Sequence, residues 1–237
     1  MSWGTWTPTP GSENDRPRFP GWRSQEYVPI EIIEAYAEDV LGQFAKRCGG
    51  EVSFPLDAER LVREVFGVEV YYDDGTIMDS LAKGLLGCLY ADGMPCPATG
   101  TDRVILVNDS PRFRGVTTAF TILHEVGHLL LHHPLDAVAA ESTAYCRTAD
   151  VVPPRWSRVP PREWQASRLA GEILMPKDRV RWLLDGQDPG NVINLEIYGP
   201  QFRDYFGVSQ AAMEKRLSDL GYKCAFGRSA YANLTQV

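Results

Sequence analysis

Apolar residues recur at helical spacing in a stretch of the chain that begins near Val28. A helix is predicted with Pro29 in its first turn, and it is expected to end at residues 49–50, where two glycines follow each other. Its apolar positions are Ile30, Ile33, Ala37, Val40, Leu41 and Phe44. A second helix is predicted after Asp57, because an aspartate can cap a helix N-terminus. Its apolar face consists of Leu61, Val62 and Val65.

Three short runs of β-branched, aromatic and other apolar residues predict strands. They cover residues 68–72, 85–90 and 103–107. The first run ends in the turn sequence at 73–75, and a loop rich in Gly and Pro separates the other two runs.

Helical spacing returns after these strands. Pro134 and the Met175-Pro176 pair are expected to end two of the helices, because proline lacks the backbone donor that a helix interior requires. Strands followed by helices indicate an α+β fold with a small mixed sheet. The predicted helices cover 116–133, 163–174, a short stretch through Leu183, and two short pieces between 202 and 222.

The first 25 residues differ in composition from the rest. They are rich in Pro, Gly, Ser and Thr and contain few apolar residues apart from three tryptophans, so residues 1–25 are predicted to be a disordered tail. Residues 26–185 are predicted to form the main domain. Residues 186–237 are predicted to form a helical extension packed on that domain.

Composition and charge narrow the functional classes. The formal net charge of −7 argues against direct nucleic-acid binding, which requires clustered Lys and Arg. No apolar run is long enough to span a membrane, and the N-terminus lacks the pattern of a signal peptide. The five cysteines are widely spaced and form no CxxC pair. A cytoplasmic protein with reduced thiols is therefore expected.

The segment His124-Glu125-Val126-Gly127-His128 carries the clearest chemical signal. Two histidines four residues apart lie on one face of a helix, so both imidazoles can bind one metal ion. Glu125 is rotated about 100° from His124 and can act as a base beside the ion. The surrounding residues are nearly all apolar, which predicts a buried helix. The alternative is a pair of hydrogen-bonded core histidines with a surface glutamate.

His132 extends the same helix face. It is interpreted as a residue at the helix end or as a hydrogen-bond partner of a metal ligand, and not as a ligand itself. Two histidines and a carboxylate already leave the open position that catalysis requires. The metzincin pattern is excluded, since Leu131 and Pro134 occupy the positions of its glycine and its third histidine.

Three segments together resemble the ImmA/IrrE family of metallopeptidases. The first joins Arg-Val-Ile-Leu-Val-Asn at 103–108 to the 120–132 segment, which contains His124 and His128 and ends at His132. The second is Glu163-Trp-Gln-Ala-Ser-Arg-Leu-Ala-Gly-Glu-Ile-Leu-Met-Pro176, and the third runs from Phe206 to Gly221. The resemblance implies an α+β, zincin-like catalytic domain over 26–185, with a small mixed sheet, a buried HExxH helix and additional C-terminal helices.

The resemblance also implies the composition of the site. His124, His128 and Glu163 would bind one Zn²⁺ ion, and Glu125 would be the catalytic base. The family usually has Asn or Asp at the position of Ser167 and Phe at that of Leu169. The helical wheel independently favours Glu163 over Glu172, which is expected to be solvated and paired with Arg168. Glu141 stays open as a second candidate.

The expected function is that of a zinc endopeptidase acting on a protein substrate. By resemblance, the substrate would be a helix-turn-helix transcriptional repressor of stress or mobile-element genes. An extended substrate could pair with a sheet edge, for which the 103–107 strand is the candidate. Tyr145 and Arg168 are available as oxyanion donors, and their spacing selects neither. The alternative is a non-catalytic, zinc-stabilised regulator or a toxin–antitoxin or phage-type partner-binding protein.

Overall fold

The structure is a computed structural model that describes residues 28–81, 84–91, 93–111, 118–131, 145–148 and 160–226. Within these ranges the chain forms a mixed α+β fold. The predicted tail over residues 1–25 lies outside the described residues. No helix in these ranges is both long enough and apolar enough to cross a membrane.

The described residues form eight helices and six strands. The helices are α1 (Ile30–Cys48), α2 (Ala58–Phe66), α3 (Thr76–Leu81), α4 (Thr118–Leu131), α5 (Pro161–Leu174), α6 (Lys177–Leu183), α7 (Leu195–Phe206) and α8 (Gln210–Asp219). The strands are β1 (Glu69–Asp73), β2 (Leu85–Tyr90), β3 (Val104–Asn108), β4 (Tyr145–Thr148), β5 (Val192–Asn194) and β6 (Lys223–Ala225).

Local sequence signals account for the ends of the first helices. The Asp57 side chain accepts a hydrogen bond from the backbone N–H of Arg60, which confirms the predicted cap of α2. Gly49 and Gly67 follow α1 and α2 in the left-handed conformation that glycine adopts most readily.

The main sheet is mixed, with the strand order β1-β3-β2-β4. Strand β1 runs parallel to β3, whereas β2 is antiparallel to both β3 and β4. The prediction that the 103–107 strand forms a sheet edge is therefore wrong. All five residues of β3 are buried, and its continuous run of apolar residues suits an interior strand that is covered on both faces. Among the described residues, the edge strands of this sheet are β1 and β4.

Two apolar clusters cover the two faces of this sheet. Alternate residues of β3 point to opposite sides, so Ile105 and Val107 join the larger cluster and Val104 and Leu106 join the smaller one. The larger cluster extends from Val28 in sequence to residues of the last two helices. Its members there are Leu195, Phe202, Phe206, Met213 and Leu217, and Tyr222 joins the cluster just after α8.

The C-terminal region is also connected through a second sheet. Strands β5 and β6 pair in parallel, in the register Val192–Lys223 to Asn194–Ala225. The division into domains at 26–185 and 186–237 stays a prediction.

Candidate metal centre

Helix α4 brings the two histidines of the motif to one buried face. Every residue from Thr121 to His128 is buried, as the apolar pattern around the motif predicts. The helix packs on strands β2, β3 and β4 on one side and on helix α5 on another. His124 and His128 lie one helical turn apart, and both imidazoles face α5.

The carboxylate of Glu163 completes a compact group of three donor residues. His124 Nε2 lies 3.1 Å from Glu163 Oε2, and His128 Nε2 lies 3.2 Å from Glu163 Oε1. The two Nε2 atoms are 3.1 Å apart. Two imidazole nitrogens and a carboxylate at these separations could hold a metal ion. Among the described residues, these three form the group of His, Cys, Asp or Glu side chains with that arrangement.

The two imidazoles also lower the pKa of Glu163. Burial raises the pKa of this carboxyl, but the hydrogen bonds from His124 and His128 and their charges outweigh burial. The pKa therefore lies well below the usual range. Glu163 is consequently ionised at neutral pH, which is the form that binds a cation.

A close contact between α4 and α5 brings Glu163 within reach of the histidines. Gly127 lies against Ala166, so that a Cβ atom added at Gly127 would be 2.6 Å from Ala166 Cα. Ala166 and Ala170 are fully buried on the face of α5 that Glu163 heads. Small residues on both helices therefore allow the backbones to approach one another.

Ser167 holds the far side of the His124 ring. Its Oγ lies 3.1 Å from His124 Nδ1. When Nδ1 carries the proton and donates it to Ser167, the Nε2 lone pair faces the other two donors. The Phe120 ring is stacked beside His124 with the ring centroids 6.4 Å apart. These contacts fix the orientation of the imidazole.

Glu125 follows His124 on α4 and is not one of the three donors. Its side chain is fully buried and extends towards strand β2, where it approaches Gly87. This placement agrees with its rotation around α4 relative to His124. A carboxylate close to a metal-bound water molecule can, in general, accept a proton from it.

The alternative candidates have different outcomes. Glu172 is buried and forms ion pairs with Arg168 and Arg216, so the prediction that it is solvated is wrong, whereas its pairing with Arg168 is confirmed. The helical wheel of α5 could not predict the ion pair between Glu172 and Arg216, because Arg216 belongs to α8. Glu141 and His132 lie outside the described residues.

Comparison with known proteins is consistent with the resemblance in the motifs. A solved structure, a Mycobacterium tuberculosis transcriptional regulator, is similar at 19% identity and a TM-score of 0.43, over 82% of this chain and 48% of that chain. The present chain thus spans about half the length of that protein. Comparison with curated proteins finds no match. The family model for the IrrE N-terminal-like domain, Peptidase M78, matches residues 63–218, which is more than half of the 237 residues. The chain therefore belongs to this metallopeptidase family.

Proposed function

We propose that the protein is a zinc-dependent endopeptidase with a zincin-like catalytic domain. In this proposal His124, His128 and Glu163 bind one zinc ion, and Glu125 is the general base. The observation that carries the proposal is the group of three donors within 4.8 Å of one another, with Glu125 adjacent on the same buried helix. The family match supplies the reaction class.

The dimensions of the donor group suit zinc. Zinc–nitrogen and zinc–oxygen bonds of roughly 2.0–2.2 Å in a tetrahedral site place the donors about 3.3–3.6 Å apart. The observed separations of 3.1, 3.1 and 3.2 Å, in which the two histidines approach different oxygens of Glu163, lie just below that range. Two imidazoles and one carboxylate also leave the fourth position open, as catalytic zinc sites require.

Each residue of the site has a distinct task in peptide hydrolysis. When bound, zinc would lower the pKa of a water molecule and polarise the scissile carbonyl group. Glu125 would accept the proton from the attacking water and deliver it to the leaving amine. Ser167 would keep His124 in the tautomer that presents Nε2. Arg168, one candidate for an oxyanion donor, forms ion pairs with Glu172 and Asp219 instead.

The edge strand β4 is the proposed site for an extended substrate. Among the described residues it pairs with β2 alone, and helix α4, which carries His124 and His128, packs against it. A peptide could add to this edge through main-chain hydrogen bonds. This proposal replaces the interior strand β3, whose two edges are both paired.

The proposed substrate is a protein, and a helix-turn-helix repressor of stress or mobile-element genes is the specific candidate. That candidate is supported by the motif resemblance. Direct nucleic-acid and membrane binding are not part of the proposal. The acidic net charge argues against a surface that binds nucleic acid. We place the protein in the cytoplasm, in keeping with four free cysteines among the described residues.

A non-catalytic, zinc-stabilised regulator is the alternative. It would bind a partner without cutting it, as in toxin–antitoxin or phage systems. A purely structural zinc site needs no base, so the buried Glu125 beside the donors favours the enzyme.

The variant Glu125→Gln tests the proposal. It retains all three donors and removes the base, so zinc content and melting temperature should match the parent while cleavage falls on the order of 10²–10⁴-fold. The assay is co-expression with the repressor encoded beside the gene, followed by detection of a shortened product. His124→Ala serves as the control that loses zinc as well. Undiminished cleavage by Glu125→Gln would contradict the assigned role.

A further inference from the structure

Strand β2 approaches helix α4 most closely at Gly87. A Cβ atom added there would lie 2.5 Å from Thr121 Cγ2, 3.2 Å from Glu125 Oε1 and 3.5 Å from Glu125 Cγ. The first distance is shorter than real Cβ contacts allow, and the second is tighter than most. The space beside the Glu125 carboxylate therefore exists because residue 87 has no side chain.

Backbone conformation does not explain this glycine. The φ angle of Gly87 is not in the positive range that favours glycine, so another residue could adopt its backbone angles. Glycine within a strand weakens it, because it adds flexibility and contributes no packing, and it often marks the close approach of another element. The pairing of β2 with β4 also shifts register between Leu85 and Gly87. The requirement for glycine is one of space, at the point where β2 meets the motif helix.

The three atoms nearest to an added Cβ at Gly87 belong to one face of α4. Thr121 and Glu125 are four residues apart and face β2, whereas His124 and His128 face α5. None of the three metal donors is among the nearest atoms to the added Cβ. A side chain at residue 87 would therefore meet the Glu125 face of the helix first.

We propose that Gly87 is a positioning residue for Glu125. Its missing side chain fixes where the carboxylate lies between β2 and the metal centre, and a methyl group there displaces the carboxylate while leaving the three donors in place. This inference rests on the proposed role of Glu125. It extends that role by assigning a task to a residue of the sheet that belongs to none of the recognised motifs.

The experiment compares the full-length parent with Gly87→Ala, Thr121→Ser, the double variant Gly87→Ala/Thr121→Ser, and Glu125→Gln. Thr121→Ser removes the methyl group closest to the new Cβ, so the double variant retains only the contact with Glu125. Zinc affinity is measured by competition with a chelator. Acetohydroxamate affinity is measured on the zinc-loaded proteins, since this probe binds zinc through its oxygens and donates a hydrogen bond to a neighbouring carboxylate.

Gly87→Ala should bind zinc like the parent and acetohydroxamate about tenfold more weakly, because a hydrogen bond to a charged group is lost or strained. The acetohydroxamate affinity of the double variant should lie between those of Gly87→Ala and the parent. It should also be lower than that of Thr121→Ser. If Gly87→Ala does not fold, the comparison of the double variant with Thr121→Ser carries the test.

Three outcomes would overturn the inference. Parent-like acetohydroxamate binding by Gly87→Ala, with weakened binding by Glu125→Gln, would refute the role of Gly87 alone. A parallel loss of zinc and acetohydroxamate affinity in Gly87→Ala would assign Gly87 to general helix packing. Parent-like binding by Glu125→Gln would refute the proposed role of Glu125, and the Gly87 inference would fail with it.

Discussion

The carboxylate of Glu163 makes a pair of adjacent histidines into a three-donor site. It contacts both imidazoles, although the side chain is 38% exposed while those of His124 and His128 are buried. An exposed carboxylate close to two buried nitrogens can reach a metal ion without a large desolvation cost. Its low pKa means that this carboxyl group is already deprotonated when a cation arrives.

Replacement of Glu163 should remove the metal most readily. Glu163→Ala deletes one of three donors and leaves the fold intact, because this side chain is partly exposed at the start of α5. We expect zinc affinity to fall by well over tenfold with little change in melting temperature. The control is Asp178→Ala, an exposed carboxylate near the start of α6, which should bind zinc like the parent. Retention of zinc by Glu163→Ala would show that another residue, with Glu141 as the first candidate, supplies the third ligand.

Ser167 should influence the metal through His124. Removal of its hydroxyl in Ser167→Ala leaves His124 Nδ1 without the partner at 3.1 Å, so the ring can rotate or change tautomer. Zinc affinity is expected to fall by about tenfold, the lower end for partners of metal ligands. Ser167→Asn, the residue type usual in the family, should retain affinity. Zinc affinity of the parent, Ser167→Ala and Ser167→Asn is measured by competition with a chelator. The control is Ser218→Ala, which removes an exposed serine hydroxyl. Equal zinc affinities for Ser167→Ala and the parent would rule out an orienting role of Ser167.

Sequence alone predicts only part of this residue-level picture. His124, Glu125 and His128 follow from spacing on one helix, and Glu163 follows from the motif resemblance and its place on the apolar stripe of α5. Gly87 does not, because its partners Thr121 and Glu125 are more than thirty residues away and their contact depends on sheet register. A glycine inside a predicted strand was the available signal.

At the scale of elements, the crossing of α4 and α5 determines whether the site exists. The first helix carries two donors and the second carries one, so the distance between helix backbones sets the size of the donor group. Gly127 and Ala166 meet at this crossing, and a Cβ atom at Gly127 would also lie 2.9 Å from the Ala166 carbonyl oxygen. Backbone atoms at that distance cannot rotate away as a side chain could.

The variant Gly127→Ala should therefore push the two helices apart. Overpacking of this kind typically costs 1–3 kcal/mol, estimated as about 2 kcal/mol here, and Glu163 should move away from the histidines. We expect a lower melting temperature together with weaker zinc binding. Gly171→Ala on α5 is the matched control, because nothing lies within 4 Å of its added Cβ. That substitution should be neutral or stabilising by up to about 1 kcal/mol through helix propensity. Normal zinc affinity in Gly127→Ala would contradict the proposed role of the crossing.

Element boundaries were predictable where local signals agree. Strand β2 matches its predicted range, and α2 has its predicted cap. Helix α7 begins at Leu195, earlier than the predicted start at residue 202, and it includes Gly199 and Pro200, which locally indicate a helix break. The Asn194 cap and the burial of Leu195 and Phe202 stabilise the helix despite its internal proline. The interior position of β3 could not be predicted, because strand order depends on partners elsewhere in the chain.

At the scale of the molecule, a buried ionic network connects the C-terminal helices to the helix that carries Glu163. Arg168 on α5 pairs with Glu172 at 2.8 Å and with Asp219 at 3.1 Å, and it lies 3.5 Å from Glu34 on α1. Arg216 on α8 pairs with Glu172 through both terminal nitrogens and donates from Nε to the Met175 carbonyl. The network thus joins helices α1, α5 and α8.

Glu172 is the residue on which this network depends. It accepts from both arginines, and the side chains of Arg216, Glu172 and Arg168 are only 2%, 5% and 6% exposed. In Glu172→Ala two buried guanidinium groups would face one another without their shared carboxylate. Breaking a buried pair by removal of one partner typically costs about 3–5 kcal/mol, because the remaining charge stays desolvated. We expect a loss of that size in the free energy of unfolding, measured by urea denaturation and monitored by tryptophan fluorescence.

Two comparisons make the Glu172 experiment specific to the buried network. Lys215→Ala removes an ion pair with Asp219 in which the lysine is 63% exposed, so it should cost only about 0.5 kcal/mol. Zinc affinity of the folded Glu172→Ala protein should equal that of the parent, because the three donors are untouched. A loss below about 1 kcal/mol in Glu172→Ala would mean that the network contributes little to stability. Loss of zinc without loss of stability would instead make Glu172 a ligand, which its pairing with Arg168 and Arg216 argues against.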